Sequence, residues 1–494
     1  MNSNLYIFSV GGTGSRVIKA LTMLLASGVE MKNTDTVVPI IVDPHRGNKD
    51  LKRTEDLLKN YQRIRKSLKK TPKNGDFFAT KINTLKEIVD TSDLVSDAYV
   101  FEMKGVSNEK FKDYIGYSSL NDSNKALATL LFSEKNLETE MNIGFVGNPN
   151  IGSVVLNQFK ESTEFKLFAS NFKPNDRIFI ISSIFGGTGA AGFPIILKNI
   201  RGATSDVPNH NFLQNATIGA ITVLPYFGVE PNEDKVIDKA TFVSKTKSAL
   251  YYYAKGVNPA VNKLYYIGDE VNKDYGYDPG SNGQQNDAHF VEMAAALSIV
   301  DFMNTPNELL TSIEGHPQES IFSEFGIKND VETINLSDLE EDTINTIAKP
   351  LTKMVFLCRY MDEQMKNSVG SARWTKTEPK IDNSFLTGSF NGTYLKEFRI
   401  NFRQWLFEMG KNKRSFKPFL LDAGTKLSDT ILNIKPKEGL FTGKLDFDAY
   451  DEALSTIDEK HKSFVSAEDK LLSIFSEATN NLLLERYESV FKNL

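Results

Sequence analysis

The chain predicts an α/β protein: a parallel sheet with helices on both faces, followed by a second part that is α+β or mainly helical. Three observations carry this. Apolar, β-branched runs alternate with helical patterns from residue 5 to residue 304, the signature of parallel strands joined by crossover helices. Two of the runs pass directly into Gly/Thr-rich segments that open apolar helices, Gly11-Gly12-Thr13-Gly14-Ser15 and Gly186-Gly187-Thr188-Gly189-Ala190. A third segment, AHFVEMAAALSIVDFMN at 288–304, is too apolar for a surface helix and predicts a buried connecting one.

In chain order, Leu5–Val10 reads as a strand, and Val17, Ile18, Leu21, Leu24 and Leu25 mark one face of the helix that follows. VVPIIVDPH is a second strand closed by Asp43. Residues 48–140 form a polar, Lys-rich insertion of mostly helical pattern. Its first helix, at 48–73, carries Leu51, Leu57, Leu58, Tyr61 and Ile64 at helical spacing, and reads as a packed surface helix rather than one lying on a membrane. GFVGNPNIG (144–152) returns to the core. Strands are expected at 178–184, 216–224 and 264–270, and helices after 187 and over 234–256. Beyond Pro306 a helix broken by Pro350 is expected. A turn-rich stretch at 373–394 precedes an amphipathic helix at 394–412 bearing Phe398, Ile400, Phe402, Trp405 and Leu406, and helices close the chain at 460–494.

Composition narrows the function. With 40% hydrophobic and 24% charged residues the chain is ordinary globular protein. A net charge of −5 gives no basic field for nucleic acid. Its one cysteine, Cys358, lies in an apolar run and reads as a buried small hydrophobe. With five histidines and no metal-spaced cluster, a zinc site is not expected. No signal-like start or membrane-length apolar run is seen, and with a single cysteine a reducing cytoplasm is expected.

A strand that ends in a Gly/Thr loop and opens a helix suits phosphate. Glycine lets the backbone approach an anion, and the helix N-terminus adds partial positive charge. Neither loop fits the P-loop or the GxGxxG pattern, which sets a Rossmann-type dehydrogenase aside. Five segments in order, VGGTGSRV, VVPIIVDPH, GFVGNPNIG, IFGGTGAAGFP and ITVLPYFGVEP, resemble the nucleotide loops of the tubulin/FtsZ family over residues 1–305. The chain is similar to a divergent bacterial member of that family. The resemblance implies a tubulin/FtsZ-like fold divided into a nucleotide-binding domain at 1–287, a connecting helix at 288–304 and a C-terminal domain at 305–494.

What it implies for chemistry follows residue by residue. Gly11, Gly12, Thr13, Gly14 and Ser15, with Gly186, Gly187, Thr188, Gly189 and Ala190, would cradle the phosphates of GTP or GDP. Gly147 and Asn148 would close over the terminal phosphate. Asp43 would act through Mg²⁺ or water, or would simply cap its strand. Glu230 would accept from the ribose. Phe290 would stack on guanine or pack in the core, with Asn286 among the substitutes for the residue that reads the base edge. Hydrolysis in this family occurs between subunits, so Glu314 and Glu319 in TPNELLTSIEGHPQES are the catalytic candidates. The family's NxDxAD motif is missing there. Two functions stay open: a GTPase that assembles head to tail into filaments, or a nucleotide-binding switch or scaffold within a larger bacterial complex, with protein partners on the C-terminal domain.

Overall fold

The computed structural model describes residues 3–45, 47–89, 96–106, 109–141, 144–145, 147–229, 239–271, 274–275, 286–328, 330–422, 424–438, 443–461 and 463–491. Seven strands form one parallel sheet. We label the elements that build it and its surroundings β1 (Asn4–Val10), α1 (Gly11–Ala26), β2 (Thr36–Val42), α2 (Lys49–Ser67), β3 (Lys81–Ile82), α3 (Pro149–Leu156), β4 (Arg177–Ser183), α4 (Gly187–Arg201), β5 (Thr217–Val223), α5 (Lys239–Gly256), β6 (Lys263–Ile267), α6 (Phe290–Asn304), β7 (Ile321–Glu324), α7 (Glu341–Glu363), α8 (Lys396–Met409), α9 (Phe447–His461) and α10 (Ala467–Arg486).

The strand order is β7-β6-β5-β4-β1-β2-β3. The chain starts in the middle at β1 and builds outward through β2 to β3. It then returns to β4 on the other side of β1 and builds outward again. In-register pairing of β1 with both β2 and β4 fixes that centre, with Leu5 opposite Val37 and Arg177, and Ser9 opposite Ile41 and Ile181. The order therefore reverses between β1 and β4. In doubly wound sheets the crevice beyond the carboxyl ends of the strands at this reversal is where ligands sit.

Side chains of period two divide between two cores. Leu5, Ile7, Val37, Ile41, Phe179 and Ile181 pack with α1, α2, α6 and the C-terminal helices. Tyr6, Phe8, Val38, Ile40, Ile178 and Ile180 pack on the opposite face with α3, α4 and α5. The connecting helix α6 spans residues 290–304 and is buried except near its end, where Asp301 is exposed. The expected apolar face of α2 is inward too: Leu51, Leu57, Leu58, Tyr61 and Ile64 are all buried. No helix among the described residues is long and apolar enough to cross a membrane.

Four expectations change. The insertion is only partly helical, since Lys81–Ile82 joins the sheet beside Thr36 and Val37. Helix α7 runs unbroken through Pro350. The lost backbone donor is outweighed there by burial of Ile347, Ala348, Leu351 and Met354 around it. On α8, Ile400 faces outward while Phe398, Phe402 and Trp405 are buried. The expected strand at 264–270 ends at Ile267. Cys358 is buried as expected, and burial pushes its thiol up to about 12. The region after α6 is mainly helical, with a short parallel pair joining Thr333–Ile334 to Ser415–Phe416.

Close approach of α4 to β1 requires a residue without a side chain. A Cβ on Gly192 would lie 2.5 Å from Val10 Cγ1. Gly192→Ala should therefore cost about 1–3 kcal/mol of stability, read as a lowered urea midpoint with an unchanged m-value. A midpoint equal to wild type would show that this contact is slack.

Candidate functional site

Three helices begin at the carboxyl edge of β1 and β4, and none is capped by a side chain. Helix α1 starts at Gly11 straight after Val10, α4 starts at Gly187 after Gly186, and α3 starts at Pro149 after Asn148. None has an acidic residue in its first turn. The first N–H groups of a helix have no partner within it and carry partial positive charge. Three such ends at one place bring partial positive charge together in one concavity.

The glycines bring these ends together. Gly11 takes a left-handed φ of +72°, and a Cβ there would lie 3.5 Å from Thr188 Cβ and 3.6 Å from the Gly189 nitrogen. A Cβ on Gly187 would meet the backbone nitrogens of Asn148 and Gly147 at 2.9 and 3.1 Å. The first, third and signature loops predicted from sequence thus adjoin one another. Lys245 of α5 adds a cation, its Nζ donating to the Gly147 carbonyl at 2.7 Å. Tyr253 donates to the Ala190 carbonyl at 3.0 Å. Ser15 is turned into its own helix and donates to the Gly11 carbonyl at 3.4 Å.

Below the first loop lies a buried charge cluster. Arg16 donates to Glu292 Oε1 at 2.7 Å, Asp50 Oδ2 at 2.9 Å, the Tyr226 hydroxyl at 3.0 Å and Thr13 Oγ1 at 3.2 Å. Because Thr13 accepts from Arg16, its own hydroxyl proton is directed elsewhere. Burial opposes the Arg16 charge, but Tyr226, Glu292 and Asp50 hold its pKa well above the usual value. Burial raises the Asp50 carboxyl despite Arg16. A second buried carboxylate, Glu408 of α8, accepts from Arg53 at 2.6 Å and from the Ala288 N–H at 2.9 Å, with Lys19 at 3.5 Å. Burial pushes Glu408 up, and Lys19 and Arg53 more than offset this, leaving it lowered.

The remaining predicted residues divide. Asp43, just after β2, accepts from the His45 N–H at 2.9 Å. Among the described residues no three His, Cys, Asp or Glu side chains gather to hold a metal. Asn286 is buried, and its backbone N–H donates to Asp50 Oδ2 at 3.3 Å. Phe290 is buried and lies stacked on Phe416, centroids 5.4 Å apart at 28°, with Phe325 edge-on. One ring face is therefore spent on the core, which is the packing alternative. Glu230 lies outside the described residues. Glu314 and Glu319 are exposed at the other end of the sheet. Glu314 sits with a φ of +51° in the turn between Ser312–Ile313 and His316–Pro317. The Gly315 N–H donates to Asn215 Oδ1, just ahead of β5, at 3.0 Å. A strand of this length places them roughly 20 Å from the Gly loops of the same chain.

Sequence reading missed Arg16, Asp50, Glu408 and Lys245. A signal was present for two of them: Arg16 interrupts an otherwise apolar helix, and Glu408 interrupts an aromatic one.

The sequence matches no family model and no curated protein. Among solved structures the chain is similar to a mutant of FtsZ from M. jannaschii, at 15% identity over 55% of this chain and 47% of that one, TM-score 0.27. It is similar to CetZ2 from Haloferax volcanii, described as a GTPγS-bound protofilament, at 12% identity over 61% and 58%, TM-score 0.28. A third is CetZ from Methanosaeta thermophila strain DSM 6194, at 17% identity over 54% and 46%, TM-score 0.22. The match spans about half the length of each of these proteins. The likeness is one of fold, to FtsZ and CetZ proteins, and the chemistry of the site rests on its own residues.

Removing Arg16 would take the guanidinium from buried Glu292 and leave buried Asp50 only the longer contact to Arg53, at 3.7 Å. Arg16→Met should cost about 3–5 kcal/mol, measured by urea unfolding at pH 7. A loss under about 1 kcal/mol would mean that water or another cation replaces it.

Proposed function

We propose that the chain binds a nucleoside polyphosphate, GTP by its resemblance, with the phosphates in the cradle of the three loops. The observation that carries this is the convergence of three uncapped, acid-free helix N-termini at the point where the strand order reverses. Gly11, Gly12, Thr13, Gly14 and Gly186 to Gly189 offer backbone N–H groups, Thr13 and Thr188 add hydroxyls, and Gly147 and Asn148 face them; the Ala190 N–H already donates to the Gly186 carbonyl at 3.2 Å. Thr13 is oriented for this by Arg16. The residues therefore fit the phosphates. They fit the base less well, since Phe290 has a face on Phe416, so guanine preference rests on the resemblance alone.

We further propose that turnover, where it occurs, needs two copies. Glu314 and Glu319 cannot reach the cradle of their own chain, but a head-to-tail neighbour would bring one pole against the other. Such a heterologous contact does not close and extends into a filament. The carboxylate would orient or deprotonate the attacking water while binding stays with the loops.

Gly12→Asp separates binding from folding. Gly12 is the second residue of α1, and a Cβ there meets only the side chains of Asn48 and Arg16, at 3.3 and 3.6 Å. A carboxylate near a helix N-terminus contributes about 0.3–1 kcal/mol, so the variant should fold at least as well as wild type. Its charge should weaken GTP binding by more than about tenfold, a change of roughly 1.4 kcal/mol. Unchanged affinity in a fluorescent-nucleotide titration would remove the phosphate from this loop. Equal competition by ATP would remove the guanine preference.

Hydrolysis per molecule should rise with protein concentration, and Glu314→Ala or Glu319→Ala should slow it while nucleotide affinity is retained. Constant specific activity on dilution would contradict hydrolysis between copies. Binding without turnover at any concentration would favour the nucleotide-binding switch.

A further inference from the structure

At the end of the molecule away from the Gly loops, a cavity of about 1010 Å³ opens between the segment 28–77 and the helices α7 and α10. It is large enough for a small molecule of metabolite size. Lys353 of α7 lines it and is 6% exposed. Its Nζ donates to the Gly75 carbonyl at 2.6 Å and lies 5.4 Å from the Phe77 ring centroid. Among the described residues no carboxylate stands within ion-pair distance of it. A buried ammonium without a counterion is costly.

Three of the four carboxylates that line the cavity are already engaged by the protein's own donors, and the fourth, Glu30, is exposed. Asp469 accepts from the Lys69 and Lys70 N–H groups, both at 3.1 Å, and from Ser466 at 2.9 Å. Asp76 accepts from the Lys73 N–H at 3.1 Å and Ser476 at 2.7 Å. Glu477 is held by Lys460 and His461, both at 2.6 Å. Lys32, Lys70, Lys73 and Lys349 add positive charge to the walls. Burial lowers the Lys353 ammonium to about 8, opposed by Asp76 and Glu30 and assisted by Lys349. An anion beside it would restore the full charge.

We infer that this cavity is a binding site for a small polyanion bearing two or more carboxylate or phosphate groups, with Lys353 as its buried counterion and Lys70 and Lys73 at its rim. The site is separate from the Gly loops and does not depend on the nucleotide reading. Its walls come from residues 28–77 on one side and 345–480 on the other, so an occupant would tie the first part of the chain to the last.

Titration calorimetry at low ionic strength, with citrate and with pyrophosphate as probes, tests this on the full chain. At least one probe should bind the wild-type protein with 1:1 stoichiometry. Lys353→Met should weaken that binding tenfold or more, and should unfold at or above the wild-type temperature because an unpaired charge has been removed. Lys70→Glu/Lys73→Glu, on exposed residues where folding is not at stake, should weaken it several-fold. Gly12→Asp should leave it unchanged. Absence of binding by either probe at millimolar concentration would overturn the inference. So would binding that survives both the Lys353 and the rim substitutions, or binding lost in Gly12→Asp and kept in Lys353→Met, which would place the anion on the Gly loops.

Discussion

A guanidinium taken out of water must be matched on every side, and Arg16 organises the centre of this protein by that requirement. Its partners come from α2 (Asp50), α6 (Glu292), the segment after β5 (Tyr226) and the first Gly loop (Thr13). Glu292 also accepts from the Tyr226 hydroxyl and the His289 N–H, and Asp50 from the Asn286 N–H, so Arg16 completes a network in which the buried groups satisfy one another. Glu408 extends the constraint to α8 through Lys19, Arg53 and the Ala288 N–H that precedes α6. The Gly loop, the connecting helix and the helical region after it are thus held by one continuous polar network. Such a cluster is weak evidence for net stability, because desolvation offsets much of its attraction. Its use here is geometric: it allows few arrangements of the elements beneath the candidate site.

The candidate site follows from topology and helix ends. A sheet that starts in its middle and winds outward both ways leaves a crevice at the reversal. Three helices present their first N–H groups there. Glycine is needed where these ends abut, most plainly at Gly11, with its positive φ, and at Gly187, where a side chain would strike the third loop's backbone. The contact between Gly187 and residues 147–148 also means that a bulky residue at 187 would disturb the cradle itself. Gly12 is therefore the cleaner place to test it.

How legible this was in the sequence depended on the range of each interaction. The alternation of apolar strand and helix and the apolar 288–304 segment are local patterns that appear close to where they were expected, while the Gly/Thr segments form the first turns of α1 and α4 rather than separate loops. The packing of Phe290 on Phe416 and the pairing of Lys19 with Glu408 join residues far apart in the chain, so no local pattern announces them. Pro350 misled because its cost is local and its compensation is not. Ile400 misled because one apolar residue can sit outside a helical face that is otherwise buried. For Glu314 and Glu319 the sequence supplied the residue type, and the fold supplied their place at the pole opposite the loops.

The central claim is that one anion-binding cradle is built by three loops together. Amide hydrogen exchange of the wild-type protein with and without GTP tests it most directly. The account predicts slowed exchange in peptides covering 10–16, 144–150 and 185–191 at the same nucleotide concentration, because one ligand would satisfy all three helix ends. Protection confined to one of these loops, or found only around 68–77 and 345–353, would contradict it.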